Sequence, residues 1–332
     1  MSERLAACHG IDPERDGWPT VSVVVPVRNE GPYLERAVSS ILSQEYPNPF
    51  DVCLAVAPSD DDTDVVAARL ADADDRVQVV ANPAGITPVG LNAAIRATDS
   101  SIVVRVDGHA ELSDGYIRQA VLTMCRTGAV NVGGRQVPKP ETPFEEAVAA
   151  ATTSRLGTGG AAYRVGGTAG PVDTVYLGVF DRAAGDEVGW FDETLIRNQD
   201  YEFNIRLRAA GGTIWFDPDL WVGYRPRGTW EGLAKQYYDY GWWKAEVLRR
   251  HPGSLRLRQV IPPVAMVGLG ASSAVALRRR VAALVPLAYA TIVLFVHRRA
   301  RSPGRAAVAT VTVHAAWTAG LAAGLVARRS AG

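Results

Sequence analysis

Two carboxylates are candidates for catalysis because of the residues around them. Asp107 follows the run 102–106, in which Arg105 is the only residue that is not apolar, and His109 lies two residues further on. An aspartate with a nearby histidine can hold a hard divalent cation against a diphosphate. An aspartate at a strand end is also a common turn residue, so this pattern alone leaves both interpretations open.

The second carboxylate, Asp200, lies in the segment 198–202 at the start of a helical pattern. Residues at positions i and i+2 of a helix point about 200° apart. Asp200 and Glu202 are therefore not an acid/base pair on one face. One of them can face a cleft while the other caps the helix or pairs with Arg206. A solvated helix start would carry the same residues.

The elements that must position these side chains alternate between strands and helices. Apolar runs predict strands at 21–27, 51–57, 77–81 and 102–106, and a further strand at 172–180. Helical spacing predicts helices at 32–43, 64–70, 89–97 and 198–210, and the glycine-rich stretch 157–170 predicts a mobile loop or a linker. The alternation predicts an α/β fold with a doubly wound, mostly parallel sheet. Ligands bind such sheets beyond the carboxyl ends of the strands, at 26–30, 58–62 and 107–109.

Charge is unevenly distributed along the 332 residues, although the formal net charge is zero. No acidic residue follows Glu246, whereas thirteen arginines do, and they flank three uncharged apolar runs at 260–277, 281–296 and 306–327. About 20 apolar residues span a bilayer. The pattern predicts a C-terminal membrane region (260–332) of two to three helices in contact with membrane lipids. Buried core helices of a soluble domain are the alternative.

The N-terminal segment 1–19 is polar and lacks the apolar core of a signal peptide, so we expect the acidic body to face the cytosol. Cys8, Cys53 and Cys125 have no metal-type spacing. They predict small buried residues or inert thiols in a reducing compartment. The balanced overall charge argues against a nucleic-acid partner.

Aromatic residues are concentrated just before the first apolar run. Thr229 is a plausible N-cap for a helix that ends at His251, and five of the seven residues from 237 to 243 are aromatic. We expect an amphipathic interface helix and basic linker at 229–259. A belt at the level of lipid headgroups and a contact with substrate both fit this composition.

Six motifs follow one another along the chain: VSVVVPVRNE, RVDGHA, DTVYLGVF, RNQDYEFNIRLRAAGG, YRPRG and QYYDYGWWKAEVLRRHPGSLRLRQ. They occur in the order seen in family 2 (GT-A) glycosyltransferases, and they resemble most the succinoglycan-biosynthesis ExoA-type branch. The resemblance runs from about residue 20 to 262. It implies a GT-A catalytic domain (20–228) with a Rossmann-like nucleotide-sugar-binding sheet, and inverting transfer of a hexose such as glucose to an acceptor hydroxyl.

The resemblance also implies roles for individual residues. Asp200, in the pair that matches the family's (E/Q)D element, is the expected general base, and Asp107 and His109 match the DxD-type element that holds Mg²⁺ or Mn²⁺. The expected nucleotide-sugar contacts are Pro26, Arg28, Asn29, Glu30, Asp61, Arg105 and Asp107. The expected acceptor or diphosphate contacts are Gln199, Arg225, Arg227, Gln236, Trp242 and Trp243.

One motif departs from the family pattern. The usual second-strand element DGSxDGT is replaced here by APSDDDT at 57–63, which puts Ala57 where the family has the aspartate that contacts uracil. Asp61 falls on the second aspartate of that element. A UDP-sugar is the expected donor, and a GDP-sugar is the alternative.

The expected localisation is the plasma membrane, with a multi-pass tail and a cytoplasmic catalytic domain. An enzyme placed there can use a polyprenyl-linked saccharide as acceptor in exopolysaccharide or cell-envelope glycan synthesis. Two other functions stay open: a polyprenyl-phosphate glycosyltransferase, whose acceptor is the lipid phosphate itself, and a non-catalytic scaffold of a polysaccharide assembly complex.

Overall fold

The computed structural model of the chain describes residues 5–327. They divide into two compact units. The first contains the residues up to Val137 together with Gly166–Tyr224, and the second contains Pro138–Val165 together with the residues from Arg225 onward.

The strands and helices alternate through the first half of the chain. The strands are β1 (Val21–Val27), β2 (Phe50–Val56), β3 (Val77–Ala81), β4 (Ile102–Arg105), β5 (Glu111–Leu112), β6 (Asn131–Pro138), β7 (Gly170–Pro171), β8 (Val179–Asp181) and β9 (Ile214–Tyr224). The helices are α1 (Pro13–Asp16), α2 (Gly31–Leu42), α3 (Thr63–Ala73), α4 (Thr87–Arg96), α5 (Tyr116–Thr127), α6 (Pro143–Thr152), α7 (Arg155–Thr158), α8 (Ala162–Val165), α9 (Arg182–Val188), α10 (Gln199–Ala209), α11 (Trp230–Arg250), α12 (Leu257–Ala276), α13 (Leu284–Val296) and α14 (Pro303–Val326).

The sheet is mixed, so the prediction of a mostly parallel sheet is wrong in its second half. Its strand order is β3-β2-β1-β4-β8-β6-β9-β5, and β7 pairs with β9. The strands β1 to β4 are parallel, as predicted, whereas β8 pairs antiparallel with β4 and β6, and β9 pairs antiparallel with β5 and β7. The parallel strands β1, β2 and β4 are largely buried on both faces, because helices cover both sides of such a sheet, whereas β3 at its edge is mostly exposed.

The antiparallel strands lack that signal. Strand β6 (NVGGRQVP) and strand β9 (IWFDPDLWVGY) contain glycine, proline and charged residues, so neither sequence shows a continuous apolar run. The predicted strand 172–180 is present only at its end, as part of β8. The glycine-rich stretch 157–170 includes the second half of the short helix α7, all of α8, and the first residue of β7.

A disulfide corrects the expectation of three free thiols. Cys8 and Cys125 are bonded to each other, and Cys53, buried in β2, is the free cysteine among residues 5–327. The N-terminal segment returns to the end of α5, where the Gly10 amide donates a hydrogen bond to the Cys125 carbonyl (3.0 Å). Because 117 residues separate the two cysteines, their spacing carries no sign of this pairing. The cysteines therefore give no support to a reducing compartment.

In the second unit, α11 and α14 pack closely through small residues. A Cβ atom on Gly241 would collide with the Trp317 carbonyl, and Cβ atoms on Gly320 and Gly324 would collide with the carbonyls of Tyr238 and Trp242. Gly320 and Gly324 form a G-x-x-x-G pair, a spacing that lets helix backbones approach. Helix α6 completes this core with Val148 and Ala151.

Two helices of the described chain are long and apolar enough to cross a membrane, and they differ in burial. No residue in the apolar window of α12 is fully buried, whereas 44% of the apolar window of α14 is buried. The predicted run 281–296 forms a short 3-10 turn and the 13-residue helix α13. The helices α12 and α14 are candidate spans by length and composition alone. The third predicted run ends at residue 327, which is the last residue that the structure describes.

Candidate active site

The loops after β1 and β2 are joined by hydrogen bonds through Asn29. Its backbone N–H donates to the Ser59 hydroxyl (3.1 Å), and its side-chain oxygen accepts from the backbone N–H of Asp60 (2.8 Å). Asn29 has a φ of 55°, in the left-handed region that asparagine tolerates better than most residues. The hydrogen bonds to Ser59 and Asp60 therefore hold the loop after β1 in this conformation.

Asp61 serves the same junction. Its Oδ1 accepts from the Thr63 hydroxyl (2.5 Å) and its Oδ2 accepts from the Gly31 amide (3.0 Å). The hydrogen bond from Thr63 lowers the pKa of Asp61. The carboxylate is therefore ionised at neutral pH, with both oxygens bonded within the two loops.

Glu30 and His109 bring the loops after β1 and β4 together. Nδ1 of His109 lies 2.7 Å from Oε1 of Glu30. Gly108 makes this approach possible, because a Cβ there would come within 3.0 Å of the Glu30 Cγ and of a Val27 methyl group. Next to Glu30, the Arg28 guanidinium donates to the Gly85 carbonyl (3.1 Å), and Pro26, in β1, is half-buried.

Arg105 lies between the two candidate carboxylates. Its Nη2 donates to Oδ1 of Asp107 at 3.0 Å, and its Nη1 lies 4.0 Å from Oδ2 of Asp200. The Arg105 side chain is 7% exposed, whereas those of Asp107 and Asp200 are 21% and 33% exposed. One buried guanidinium therefore lies within ion-pair distance of both carboxylates, each of which reaches the surface.

Opposing effects act on the pKa of Asp107. Burial raises it, but the positive charge of Arg105 and the hydrogen bond from it, with smaller contributions from His109 when protonated and from Arg197, outweigh burial, so the pKa lies below its ordinary value. Asp107 is thus an anion that can receive a cationic ligand at neutral pH.

Asp107 and His109 fit a divalent cation of the kind that shares its ligands with a phosphate. When Glu30 accepts a proton from Nδ1 of His109, Nε2 keeps its lone pair, which is the arrangement of many metal-binding histidines. Magnesium-type sites often take one or two protein ligands plus phosphate oxygens. In the described part of the chain, no cluster of three or more His, Cys, Asp or Glu residues could hold a metal by itself.

The helix α10 separates Asp200 from Glu202 as the sequence predicted. Glu202 is buried and pairs with Arg206 (2.8 Å), whereas a third of Asp200 is exposed and its Oδ1 accepts from the Tyr201 amide (2.8 Å). Gln199, beside Asp200, is buried. Asp200 is therefore the carboxylate of this pair that can meet a substrate.

Three residues with strained backbone flank the site. Asn29, Leu177 and Asn198 are the non-glycine residues of the described chain with positive φ, at 55°, 59° and 61°. Asn29 precedes Glu30 and Asn198 begins the turn into Asp200. Strain of this kind clusters at functional sites because the surrounding structure must maintain it.

Tyr176 belongs to the site and was not predicted. Burial raises the pKa of Tyr176 well above its ordinary value, and the nearby charge of Asp107 raises it further. The phenol is therefore protonated beside the Arg105 and Asp107 pair. The motif DTVYLGVF contains Tyr176, but it carries no polar pattern that distinguishes this tyrosine from a core residue. Arg197, whose charge acts on Asp107, was missed as a site residue as well, although it is the first residue of the motif RNQDYEFNIRLRAAGG.

The remaining predicted residues lie in the second unit. Arg225 donates to Glu145 and pairs with Glu141, both at 2.8 Å, so its guanidinium links α6 to the start of the second segment of this unit. Arg227 follows it before α11. Within α11, Gln236 donates to the Tyr240 hydroxyl (3.2 Å), and the rings of Trp242 and Trp243 meet edge to face at 4.8 Å.

Comparison with known proteins identifies the class. The family model described as "Glycosyl transferase family 2" matches residues 22–189. The succinoglycan biosynthesis protein ExoA of Rhizobium meliloti (strain 1021) is 30% identical over 309 residues, which are 90% of this chain and 92% of that protein. The chain therefore belongs to glycosyl transferase family 2 and is of the ExoA type, as the motifs predicted.

Two further proteins extend the comparison. A Methanococcus voltae protein is 21% identical over 69% of this chain and 74% of its own, and is named as a dolichyl N-acetyl-alpha-D-glucosaminyl phosphate 3-beta-D-2,3-diacetamido-2,3-dideoxy-beta-D-glucuronosyltransferase. The mannosyltransferase PcManGT from Pyrobaculum calidifontis, solved in complex with GDP-Man and Mn²⁺, has a TM-score of 0.65 at 20% identity, covering 93% of this chain and 87% of that one. This likeness shows a shared fold.

Proposed function

We propose that the protein is a membrane-anchored inverting glycosyltransferase that moves a hexose from a nucleotide-sugar to a hydroxyl of a lipid-linked saccharide. The observation that supports this most strongly is the placement of Asp107 and Asp200 around Arg105. The diphosphate-side carboxylate and the proposed base belong to one site, and each is partly exposed. A glycosyltransferase needs both functions beside the same anomeric carbon.

Charge determines the proposed mechanism. Asp200 accepts the proton of the acceptor hydroxyl as that oxygen attacks the anomeric carbon. Single displacement inverts this carbon, so an α-linked donor gives a β-linked product. Asp107 and His109 would hold Mg²⁺ or Mn²⁺, which when bound would supply positive charge to the diphosphate leaving group. The protonated Tyr176 lies beside Asp107 and can orient a phosphate oxygen by donating a hydrogen bond.

The donor is proposed to be a UDP-sugar, with a GDP-sugar as the alternative. Ala57 replaces the aspartate expected to contact uracil, and both oxygens of Asp61 bond within the loops. Base recognition then depends on other groups of the loops after β1 and β2. PcManGT, of similar fold, was solved with GDP-Man.

A lipid-linked acceptor at the plasma membrane is proposed from the second unit and from the relatives. Exposed apolar side chains cover α12, and arginines precede and follow it. Arginines at the ends of an apolar helix suit anionic headgroups. The R. meliloti relative is named for succinoglycan biosynthesis and the M. voltae relative for a dolichyl-linked acceptor.

A donor screen tests this function. The full chain in membranes is incubated with UDP- and GDP-hexoses, Mn²⁺ and a bacterial lipid extract, and lipid products are identified by mass spectrometry. We expect one hexose to be added to a lipid-linked saccharide. Transfer to polyprenyl phosphate itself, retained in Asp200→Asn, would instead identify a polyprenyl-phosphate glycosyltransferase, because that reaction needs no hydroxyl deprotonation. Neither transfer nor hydrolysis of any donor would identify a scaffold.

A further inference from the structure

Arg105 is bonded on one side only. It donates from Nη2 to Asp107, whereas its Nε and Nη1 are buried and have no hydrogen-bond partner in the structure. Buried donors without partners are costly, and most buried polar groups in proteins are satisfied. Neutralising Asp107 requires one bond and does not explain why a five-donor guanidinium occupies this position.

The unsatisfied Nη1 lies near Asp200. The separation of 4.0 Å from Oδ2 of Asp200 is too long for a hydrogen bond but within ion-pair range. A shift of roughly 1 Å by either side chain would bring the atoms to the 2.7–2.9 Å typical of a charge-assisted bond. Asp200 has room for this movement, because it is a third exposed at the beginning of α10.

The backbone of Arg105 is fixed, so movement belongs to its guanidinium and to Asp200. Its amide donates to the Gly178 carbonyl (3.0 Å). Its β-strand also pairs with β1, where it lies opposite Val24. The Phe191 ring centroid lies 6.0 Å from the guanidinium carbon. Because its backbone is fixed, Arg105 can contact one carboxylate with each of its two Nη atoms.

We propose that Arg105 is a positioning residue for the general base: its Nη1 bonds to Asp200 in the loaded site and holds that carboxylate at the acceptor hydroxyl, while Nη2 retains Asp107. Binding of the donor beside Asp107 would thus orient Asp200, which lies on the other side of the guanidinium. This inference rests on the proposed function, and it gives Arg105 a different task from the donor contact that the motif comparison implies.

Arg105→Lys tests this task, because lysine keeps the charge but has no fork and can bond to Asp107 as a point charge. We expect kcat to fall about 10²-fold, the loss that misplacement by 1 Å can cause. The Kd for UDP with Mn²⁺, or for GDP with Mn²⁺ if the donor is a GDP-sugar, should stay within about threefold of wild type. Arg182→Lys is the matched control: Arg182 is a partly buried arginine after β8 that donates to the carbonyls of Ile95, in α4, and Ser100, before β4, so stability should fall without loss of kcat.

A double-mutant cycle identifies the partner. If Arg105 acts through Asp200, Arg105→Lys should lower kcat of wild type but not the residual kcat of Asp200→Asn. Methylguanidinium should restore part of the kcat of Arg105→Ala, whereas methylammonium should not. If the lysine variant does not fold, Arg105→Gln takes its place in the same cycle.

The outcomes separate this inference from the proposed function. Wild type without transfer would overturn both. Transfer by wild type together with an unchanged kcat in Arg105→Lys, or equal losses in the wild-type and Asp200→Asn backgrounds, would overturn the positioning role alone. A tenfold or greater loss of nucleotide affinity at unchanged kcat would also overturn it and return Arg105 to donor binding.

Discussion

Each of the two units contains a residue whose burial is the reverse of what its type leads one to expect. In the first unit, Arg105 is 6% exposed beneath two carboxylates, whereas in the second Leu277, which follows α12, is 89% exposed. Arginine is ordinarily exposed and leucine ordinarily buried. Each exception carries a cost to folding, and the proposed function gives each a reason: a charged group kept for the reaction, and apolar groups kept for a lipid surface.

The largest effect should come from Asp200→Asn in the first unit. We expect donor binding to persist while transfer falls by about 10² to 10⁴-fold, because the amide cannot accept the hydroxyl proton. Steady-state transfer and nucleotide binding by calorimetry measure the two quantities.

Glu202→Gln is the matched control for Asp200→Asn, two residues away on the same helix. Its carboxylate pairs with Arg206 inside the protein, so the variant should lose stability but keep kcat per folded molecule. Near wild-type turnover in Asp200→Asn would contradict the assignment of the base.

Asp107→Ala should have the next largest effect. Removing a ligand from a site of two protein ligands should weaken Mn²⁺-dependent nucleotide binding by about 10²-fold, at the upper end of what supporting residues of metal sites contribute. Calorimetry with UDP or GDP, with and without Mn²⁺, measures this. Equal affinity of wild type under both conditions would show that the metal role is wrong. Asp74→Ala, on an exposed pair with Arg76, should change nothing.

Gly320→Ala tests the packing of the second unit. The added methyl group would meet the Tyr238 carbonyl, so we expect a loss of about 1–3 kcal/mol in the free energy of unfolding. Gly268→Ala, in α12, meets no atom within 4 Å and should be neutral or more stable by up to about 1 kcal/mol. Denaturant unfolding in detergent compares them; equal stability would show that α11 and α14 do not pack closely.

The smallest expected effect concerns the exposed face of α12. Changing Val264 and Val267 to serine should lower binding to anionic vesicles about tenfold, because two buried valine side chains contribute on the order of 3 kcal/mol at most. Val65→Ser, at an equally exposed valine of α3, is the control that should leave vesicle binding unchanged. Unchanged sedimentation of the α12 variant with vesicles would contradict a lipid contact at this helix.

How well the sequence predicted the structure differed between the two halves of the sheet. The apolar strands β1 to β4 were predicted to within one residue at each end, since a strand buried on both faces needs an unbroken apolar run. The strands β6 and β9 were not predicted, because antiparallel pairing tolerates the glycines, prolines and aspartates that interrupt their apolar residues. The spacing of Asp200 and Glu202 correctly predicted that they do not share one face of α10, but the Arg105 contacts depend on the pairing of distant elements.

Hydropathy could not distinguish α12 from α14. The two helices are similarly apolar, yet the glycine spacing of α14 lets it pack closely against α11, whereas no residue in the apolar window of α12 is fully buried. The G-x-x-x-G pair at Gly320 and Gly324 was the available signal. In the same way, the ion pairs of Arg225 with Glu141 and Glu145 could not be predicted, because they join segments 80 residues apart.

The stereochemistry of the product tests the central claim most directly. An α-linked nucleotide-hexose that is active in the donor screen is incubated with the wild-type protein in membranes, and the anomeric configuration of the transferred sugar is determined by NMR. Single displacement with Asp200 as the base predicts a β-linked product, formed on the order of 10² to 10⁴-fold more slowly by Asp200→Asn. An α-linked product would contradict the account, because a single in-line displacement must invert the anomeric carbon.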